Sequence, residues 1–174
     1  MDIQTVYSPA TLERKLNIPL IYVTNNIKSA LEKRLHNQLE GKCNVEGYIK
    51  KESCVVTTYS TGLIVGNEIQ FVVAFDCQLC TPIEGMMIKC IVDNITKAGI
   101  KASIPGEDSP IIVFIVRDHH HRLKEFSTLK VGEMIDVRVS GHRYELNDDY
   151  ISVIGEYIPA NKGGKQPRIV FKDK

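Results

Sequence analysis

Residues 80–104 read CTPIEGMMIKCIVDNITKAGIKASI, and this stretch guides the interpretation of the whole chain. From Met86 to Asp93, every second side chain is apolar, and the side chains between them are partly apolar and partly charged. This period of two predicts a strand. The chain then turns, and a second alternating run begins at Gly99. A glycine at the start of each run, Gly85 and Gly99, is typical of a sharply bent sheet such as a small barrel.

The composition is that of an ordinary globular protein. The chain has 174 residues, 43% hydrophobic and 25% charged, which suits one large domain or two small ones. No run approaches the roughly 20 apolar residues of a membrane helix, and the first residues lack a signal-peptide pattern. Five cysteines without framework spacing predict free thiols in a reducing, intracellular compartment.

The net charge of +1 is unevenly spread along the chain. Residues 83–158 carry a net charge of −3, whereas residues 159–174 carry +4. The folded part is therefore not a strongly basic nucleic-acid binder, and any affinity for nucleic acid must come from a local patch or from the tail.

The first half predicts one helix on an antiparallel sheet, an α+β unit. After a strand near 7–16 and a turn at Pro19, Thr24-Asn25-Asn26 is typical of a helix N-cap. Leucines and other apolar residues then follow at helical spacing up to Leu39. Strand-like runs cover residues 42–50, 53–59 and 67–79. Between the last two, an apolar tip either docks on a partner or folds back on its own sheet.

The second half predicts a five-stranded barrel. After the first hairpin come a wholly apolar run at 111–116, interpreted as a buried strand, and a polar connection at 117–130. Alternating runs at 131–140 and 150–157 supply the last two strands. Five short strands with a long connection between the third and fourth are the layout of an OB barrel. The tail from Pro159 is expected to be mobile, although Ile169–Phe171 could dock as a strand.

Short motifs occur in the order found in one protein family. Thr11-Leu12 precedes the prolyl turn and the helix; downstream lie LEGKC at 39–43, GYI at 47–49, PIEG at 82–85, Gly99, SPIIVFI at 109–115 and LKVGEMIDVRV at 129–139. This ordered set resembles the stalk subunit of archaeal and eukaryotic RNA polymerases, the family of the seventh subunit of RNA polymerase II. A short tip at 59–67, an RDHHH run at 117–121 and an acidic barrel indicate a diverged copy, such as one from a large DNA virus.

The resemblance implies a non-catalytic subunit. No cofactor or metal is expected. Residues 1–81 would form a tip domain, residues 82–158 an S1-type OB domain, and 159–174 a basic tail. The tip loop would dock at the base of the polymerase clamp, formed by the two largest subunits, beside a small helical stalk partner. The predicted docking residues are Thr61, Gly62, Leu63 and Ile64.

The barrel would contact nascent single-stranded RNA near the exit channel, weakly, without sequence preference and with strong salt dependence. Cations that track phosphate and an aromatic ring that stacks are the required groups. The candidates are Lys89, Lys97, Lys101, Arg117, His119, Arg122, Arg143 and Tyr144. Phe114 and Phe126 are expected to lie in the core, and the three histidines at 119–121 are expected to form a solvated loop.

Other chemistry is weakly supported. Cys77 and Cys80 suggest a metal knuckle, but residues three apart on a strand point to opposite faces and no second pair exists. Asp148-Asp149 is typical of a hairpin turn rather than of a catalytic pair. Two alternatives remain: a free-standing S1-domain RNA-binding protein of translation or RNA decay, and a nuclease accessory or metal-dependent enzyme. The stalk interpretation places the protein in the nucleus if cellular, and in the host cytoplasm or virion if viral.

Overall fold

The computed structural model describes residues 6–106 and 109–160, which form a helix-covered sheet and a closed barrel. One α-helix, α1, spans Ile27–Leu39, and none of the described helices is long and apolar enough to cross a bilayer. The strands are β1 (Ser8–Pro19), β2 (Cys43–Asn44), β3 (Gly47–Ile49), β4 (Val55–Tyr59), β5 (Leu63–Val65), β6 (Glu68–Cys80), β7 (Met87–Ile95), β8 (Gly99–Ser103), β9 (Ile111–Val116), β10 (Met134–Arg143) and β11 (Ile151–Ile158).

Strand β6 is the central strand of the six-stranded sheet. On one side β1 pairs with it antiparallel over the full length, from Ser8 opposite Leu79 to Pro19 opposite Glu68. On the other side β3, β4 and β5 pair with it in succession. The clean alternation at 67–79 thus predicted a real strand. The first strand is longer than predicted, because pairing continues to Pro19 and the chain turns in a 3₁₀ helix at Leu20–Tyr22.

Helix α1 begins where the sequence predicted. The side chain of Asn26 accepts a hydrogen bond from the backbone N–H of Ser29 at 3.2 Å, which satisfies one of the free donors at the helix start. Leu31 and Leu35 are fully buried against one face of the sheet. Burying a leucine contributes about 1.5–3 kcal/mol, so these two side chains anchor the helix on the sheet.

The single strand predicted for residues 42–50 is wrong. The structure has a hairpin instead, in which β2 and β3 pair antiparallel through Cys43 opposite Tyr48. Gly47 lies in the turn region with a φ of 142°, a conformation that other residues rarely adopt. The alternation of apolar residues continued through this turn, and so it concealed the reversal of the chain.

The five predicted barrel strands close in the order β10-β11-β9-β8-β7, with β7 also pairing with β10. All pairs are antiparallel except β9 with β11, which gives the mixed, OB-like arrangement. The two glycines have different roles. A Cβ at Gly99 would overlap the carbonyl oxygen of Ile115, whereas Gly85 has open space and a φ of 85°. Crowding therefore explains Gly99, and backbone conformation explains Gly85.

The polar connection between β9 and β10 contains two short 3₁₀ helices, Arg117–His119 and Lys124–Thr128. The second carries Phe126, which is buried in the barrel cluster as the sequence predicted. The expected docking of Ile169–Phe171 lies outside the described residues, as does most of the basic tail.

Neighbouring residues of the sheet pack into two different apolar clusters. Ile49 and Leu79 lie in the helix-side cluster, whereas Tyr48 and Cys80 lie in the barrel cluster on the other face. Backbone hydrogen bonds join the two parts directly, because the N–H of Cys43 donates to the carbonyl of Asp148 at 2.8 Å. The carbonyl of Cys43 in turn accepts from the N–H of Asn147 at 2.8 Å.

Candidate docking and RNA-contact surfaces

The predicted docking loop forms a hairpin with β6 and still exposes its apolar side chains. Strand β5 pairs with β6 through Ile64 opposite Ile69. Leu63 is 64% exposed and Ile64 is 68% exposed. Gly62 permits the close approach, because a Cβ there would overlap the side chain of Ile69. The loop therefore folds back on its own sheet and still leaves apolar side chains exposed, so the two alternatives left open by the sequence do not exclude each other.

A second apolar segment, which the sequence did not single out, lies beside this hairpin. Residues 20–23 follow β1 directly, and the N–H of Leu20 donates to the carbonyl of Asn67 in the β5–β6 turn at 3.1 Å. Ile21 is 78% exposed and Tyr22 is 64% exposed. The tip surface is defined here by both segments: Leu20, Ile21, Tyr22, Val23, Leu63, Ile64 and Val65. The signal that could have found the first segment is an apolar run directly after a proline, at 19–23.

A groove of about 420 Å³ lies between this segment and α1. Its lining combines apolar atoms of Ile18, Ile21 and Tyr22 with the side chains of Lys33 and Arg34 from the helix. An exposed apolar surface with adjoining cations is suited to a protein partner that offers apolar and acidic side chains.

The barrel candidates for RNA contact do not form one patch. Lys101 on β8 lies opposite Phe114 on β9, and both border a shallow groove of about 310 Å³ next to the β7–β8 turn that carries Lys97. His119 and Arg122 are exposed in the connection that follows β9. Lys89 lies elsewhere, opposite Asp136 in the β7–β10 pair.

Arg117, Arg143 and Tyr144 are among the candidates that have partners within the protein. The guanidinium of Arg117 donates to the carbonyl of Thr96 at 3.0 Å and lies over the ring of Phe126, so it fastens the β7–β8 turn. Arg143 forms an exposed ion pair with Glu145. Tyr144 donates its hydroxyl to the carbonyl of Val45 at 3.2 Å, across the junction of barrel and sheet.

The prediction that Phe114 lies in the core is wrong. In β9, Ile111, Val113 and Ile115 are buried, whereas Phe114 faces outward and is 38% exposed. The run is apolar on both faces, so its composition could not show which side chains point away from the core. Phe114 is consequently an aromatic ring available for stacking beside Lys101.

The expected solvated histidine loop is correct only in part. His119 and His121 are exposed, but His120 is 2% exposed and stacks on Phe126 with ring centroids 4.8 Å apart. Its Nε2 accepts from the N–H of Tyr157 at 2.9 Å, so its Nδ1 carries the proton and donates to the carbonyl of Val116 at 2.8 Å. His120 therefore ties the connection to β9 and β11.

The cysteines are free and buried. As predicted, Cys77 and Cys80 face opposite ways, the former into the helix-side cluster and the latter into the barrel cluster. Burial raises the pKa of Cys80 and of Cys90 to about 12, so both remain thiols rather than reactive thiolates. Among the described residues, no group of histidine, cysteine and carboxylate side chains is placed to hold a metal ion.

The carboxylate pair at 148–149 belongs to the β10–β11 turn. Asp148 accepts a hydrogen bond from the backbone N–H of Glu145 at 2.7 Å, and Asn147 adopts a φ of 70°. This geometry is the turn chemistry that the sequence predicted.

No protein-family model matches the chain. The chain is similar to a protein of Acanthamoeba polyphaga mimivirus named "Putative DNA-directed RNA polymerase subunit L376". The two are 27% identical over 171 residues, which cover 89% of this chain and 83% of the mimivirus protein.

Proposed function

We propose that the protein is a non-catalytic stalk subunit of a multisubunit DNA-directed RNA polymerase. The observation that carries the proposal is the tip surface, an exposed apolar cluster at one end of a folded sheet, in a chain similar to a named polymerase subunit. In this role residues 1–81 hold the docking surface, and residues 82–158 form an S1-type barrel directed at the transcript.

Docking through the tip surface has a clear energetic basis. Exposed leucine and isoleucine side chains gain about 1.5–3 kcal/mol each when a partner buries them. The partners in this proposal are the largest and second-largest polymerase subunits at the base of the clamp, with a small helical subunit completing the stalk. For a viral polymerase, the site of action is the host cytoplasm or the virion.

The test replaces Leu63 and Ile64 by aspartate and measures recovery of the large polymerase subunits with the tagged protein. We expect at least a tenfold loss of the large subunits, because two charges would enter an apolar contact. The matched control is Leu146→Asp, since Leu146 is 65% exposed but lies in the β10–β11 connection. Recovery equal to that of the unmodified protein would contradict the docking proposal.

RNA contact is the second part of the proposal. The exposed ring of Phe114 can stack a base, and Lys97 and Lys101 can follow the phosphates. Residues 83–158 carry a net charge of −3, so the barrel supports only weak RNA binding that salt suppresses. Tight binding of single-stranded RNA by the isolated protein would instead favour a free-standing RNA-binding protein.

A further inference from the structure

The outer edge of β1 is the feature that the proposed docking and RNA contacts leave unused. Strand β1 is 12 residues long and pairs with β6 on one side only. In the part of the chain that the structure describes, no strand pairs with its other side. A long uncovered edge invites pairing with a further strand.

The register shows which residues of β1 direct their backbone groups to this edge. The N–H of Leu20 bonds to the carbonyl of Asn67, in line with the β1–β6 register, so the even-numbered residues of β1 bond to β6. The opposite side of β6 agrees, because the carbonyls of Val72 and Gln78 accept from Ser60 and Lys50. The backbone N–H and C=O groups of the odd-numbered residues of β1 therefore point to the outer edge of the sheet.

Prolines bound this outward row at both ends. Pro9 and Pro19 occupy odd-numbered positions, where a missing N–H costs the β1–β6 ladder nothing. Between them, Thr11, Glu13 and Lys15 present both a donor and an acceptor, and so does Asn17. The carbonyl of Glu13 already accepts from the guanidinium of Arg14 at 2.8 Å, and its second lone pair is left for a bond across the edge. Any strand that pairs here is thus limited to a segment of fixed length.

We propose that this edge pairs antiparallel with the same edge of a second copy of the chain, centred on Arg14. In that register Glu13 of each copy lies opposite Lys15 of the other, which gives two equivalent pairs. Thr11 likewise lies opposite Asn17 of the other copy, and Pro9 lies opposite Pro19. Shifting the centre to Glu13 or to Lys15 sets like charges directly opposite, which is destabilising. Charge and the prolines therefore select one symmetric register, as a two-fold dimer requires.

The arrangement also places the side chains suitably. Glu13 and Lys15 are exposed, so both are available for cross-strand pairing. Arg14 meets its own copy at the axis, but its charge is already compensated by an ion pair with Glu46. Contact through one strand buries little area, so we expect a weak, reversible dimer. The tip surface lies beyond Pro19, at opposite ends of the pair, so this inference does not depend on the proposed function.

The test is sedimentation equilibrium of the full chain over a wide range of concentration. We expect a reversible monomer–dimer equilibrium for the unmodified protein. Lys15→Glu places carboxylates opposite each other and should weaken the dimer about tenfold. The double variant Glu13→Lys with Lys15→Glu restores opposite charges in the same register, and it should recover affinity to within about twofold.

Lys28→Glu is the control for net charge, because Lys28 is exposed on α1 and is not part of β1, and its replacement should leave the dimer unchanged. Circular dichroism verifies that each variant is folded. A protein that stays monomeric at every concentration overturns the proposal. A folded double variant that fails to recover affinity overturns the proposed register.

Discussion

At the scale of single residues, Glu40 links the helix to the loop before β4. Its carboxylate accepts from the backbone N–H groups of Glu52 and Cys54 at 2.7 and 2.8 Å, and it pairs with His36. Burial favours the neutral acid, but the hydrogen bonds from His36 and the two backbone groups outweigh it and lower the pKa of Glu40. The charged carboxylate therefore stabilises the folded protein.

This linkage gives a pH-dependent prediction. Because the folded-state pKa lies below the ordinary value of 4.5, the stabilisation is complete above that value and is lost as pH falls through the folded pKa. We expect Glu40→Gln to lower the free energy of unfolding by about 1–3 kcal/mol at neutral pH, since a buried hydrogen-bond acceptor is lost. Urea titrations across pH measure this difference. A gap between the two proteins that stays constant down to strongly acidic pH would contradict the assignment.

At the scale of elements, the β8–β9 face is defined by Phe114 beside Lys101. We expect Phe114→Ala to weaken binding of single-stranded RNA by about 1–3 kcal/mol, the usual contribution of one stacked base. Fluorescence anisotropy with a labelled RNA at low salt measures the change. Met134→Ala is the control, because Met134 is an exposed apolar residue of β10 on a different part of the barrel. Equal loss from both variants would argue against a specific face.

Elements also differ in how far the sequence reveals them. β6 and α1 were predictable because their alternation or helical period is uninterrupted and one face of each is buried. The β2–β3 hairpin was not, because its turn lacks proline and keeps the apolar alternation. The outward-facing side chains of β9 could not be predicted for a different reason. A wholly apolar run predicts a buried strand, but without alternation it does not show which side chains point away from the core.

The tip surface shows the same division within one site. The exposure of the loop at 61–64 was predictable because two glycines bracket an apolar run that has no place in a small core. Residues 20–23 were missed because their neighbours in space, at the β5–β6 turn, are distant in sequence. Only the pairing of β1 with β6 brings the two segments to the same end of the sheet.

At the scale of the whole molecule, the barrel depends on residues outside it. Tyr48 and Cys80 belong to its apolar cluster, and the bonds between Cys43 and the β10–β11 turn fix it to the sheet. We therefore expect one cooperative calorimetric transition for the full chain. A fragment of residues 82–160 should melt at least ~4 °C lower, because about 1 kcal/mol or more of apolar burial is removed. Two separate transitions in the full chain would contradict this coupling.

The division of β6 between two cores also bears on how this protein can evolve. Near its C-terminal end, Cys77 and Leu79 pack in the helix-side cluster, whereas Cys80 packs in the barrel cluster. Inserting or deleting a single residue before them would turn each of these side chains to the opposite face of the sheet. Substitutions within β6 can be absorbed by repacking, but its length cannot drift. Changes in length among relatives should instead collect in the turns, such as the one at Gly66-Asn67. The residue register of β6 therefore determines the packing of both the sheet core and the barrel core.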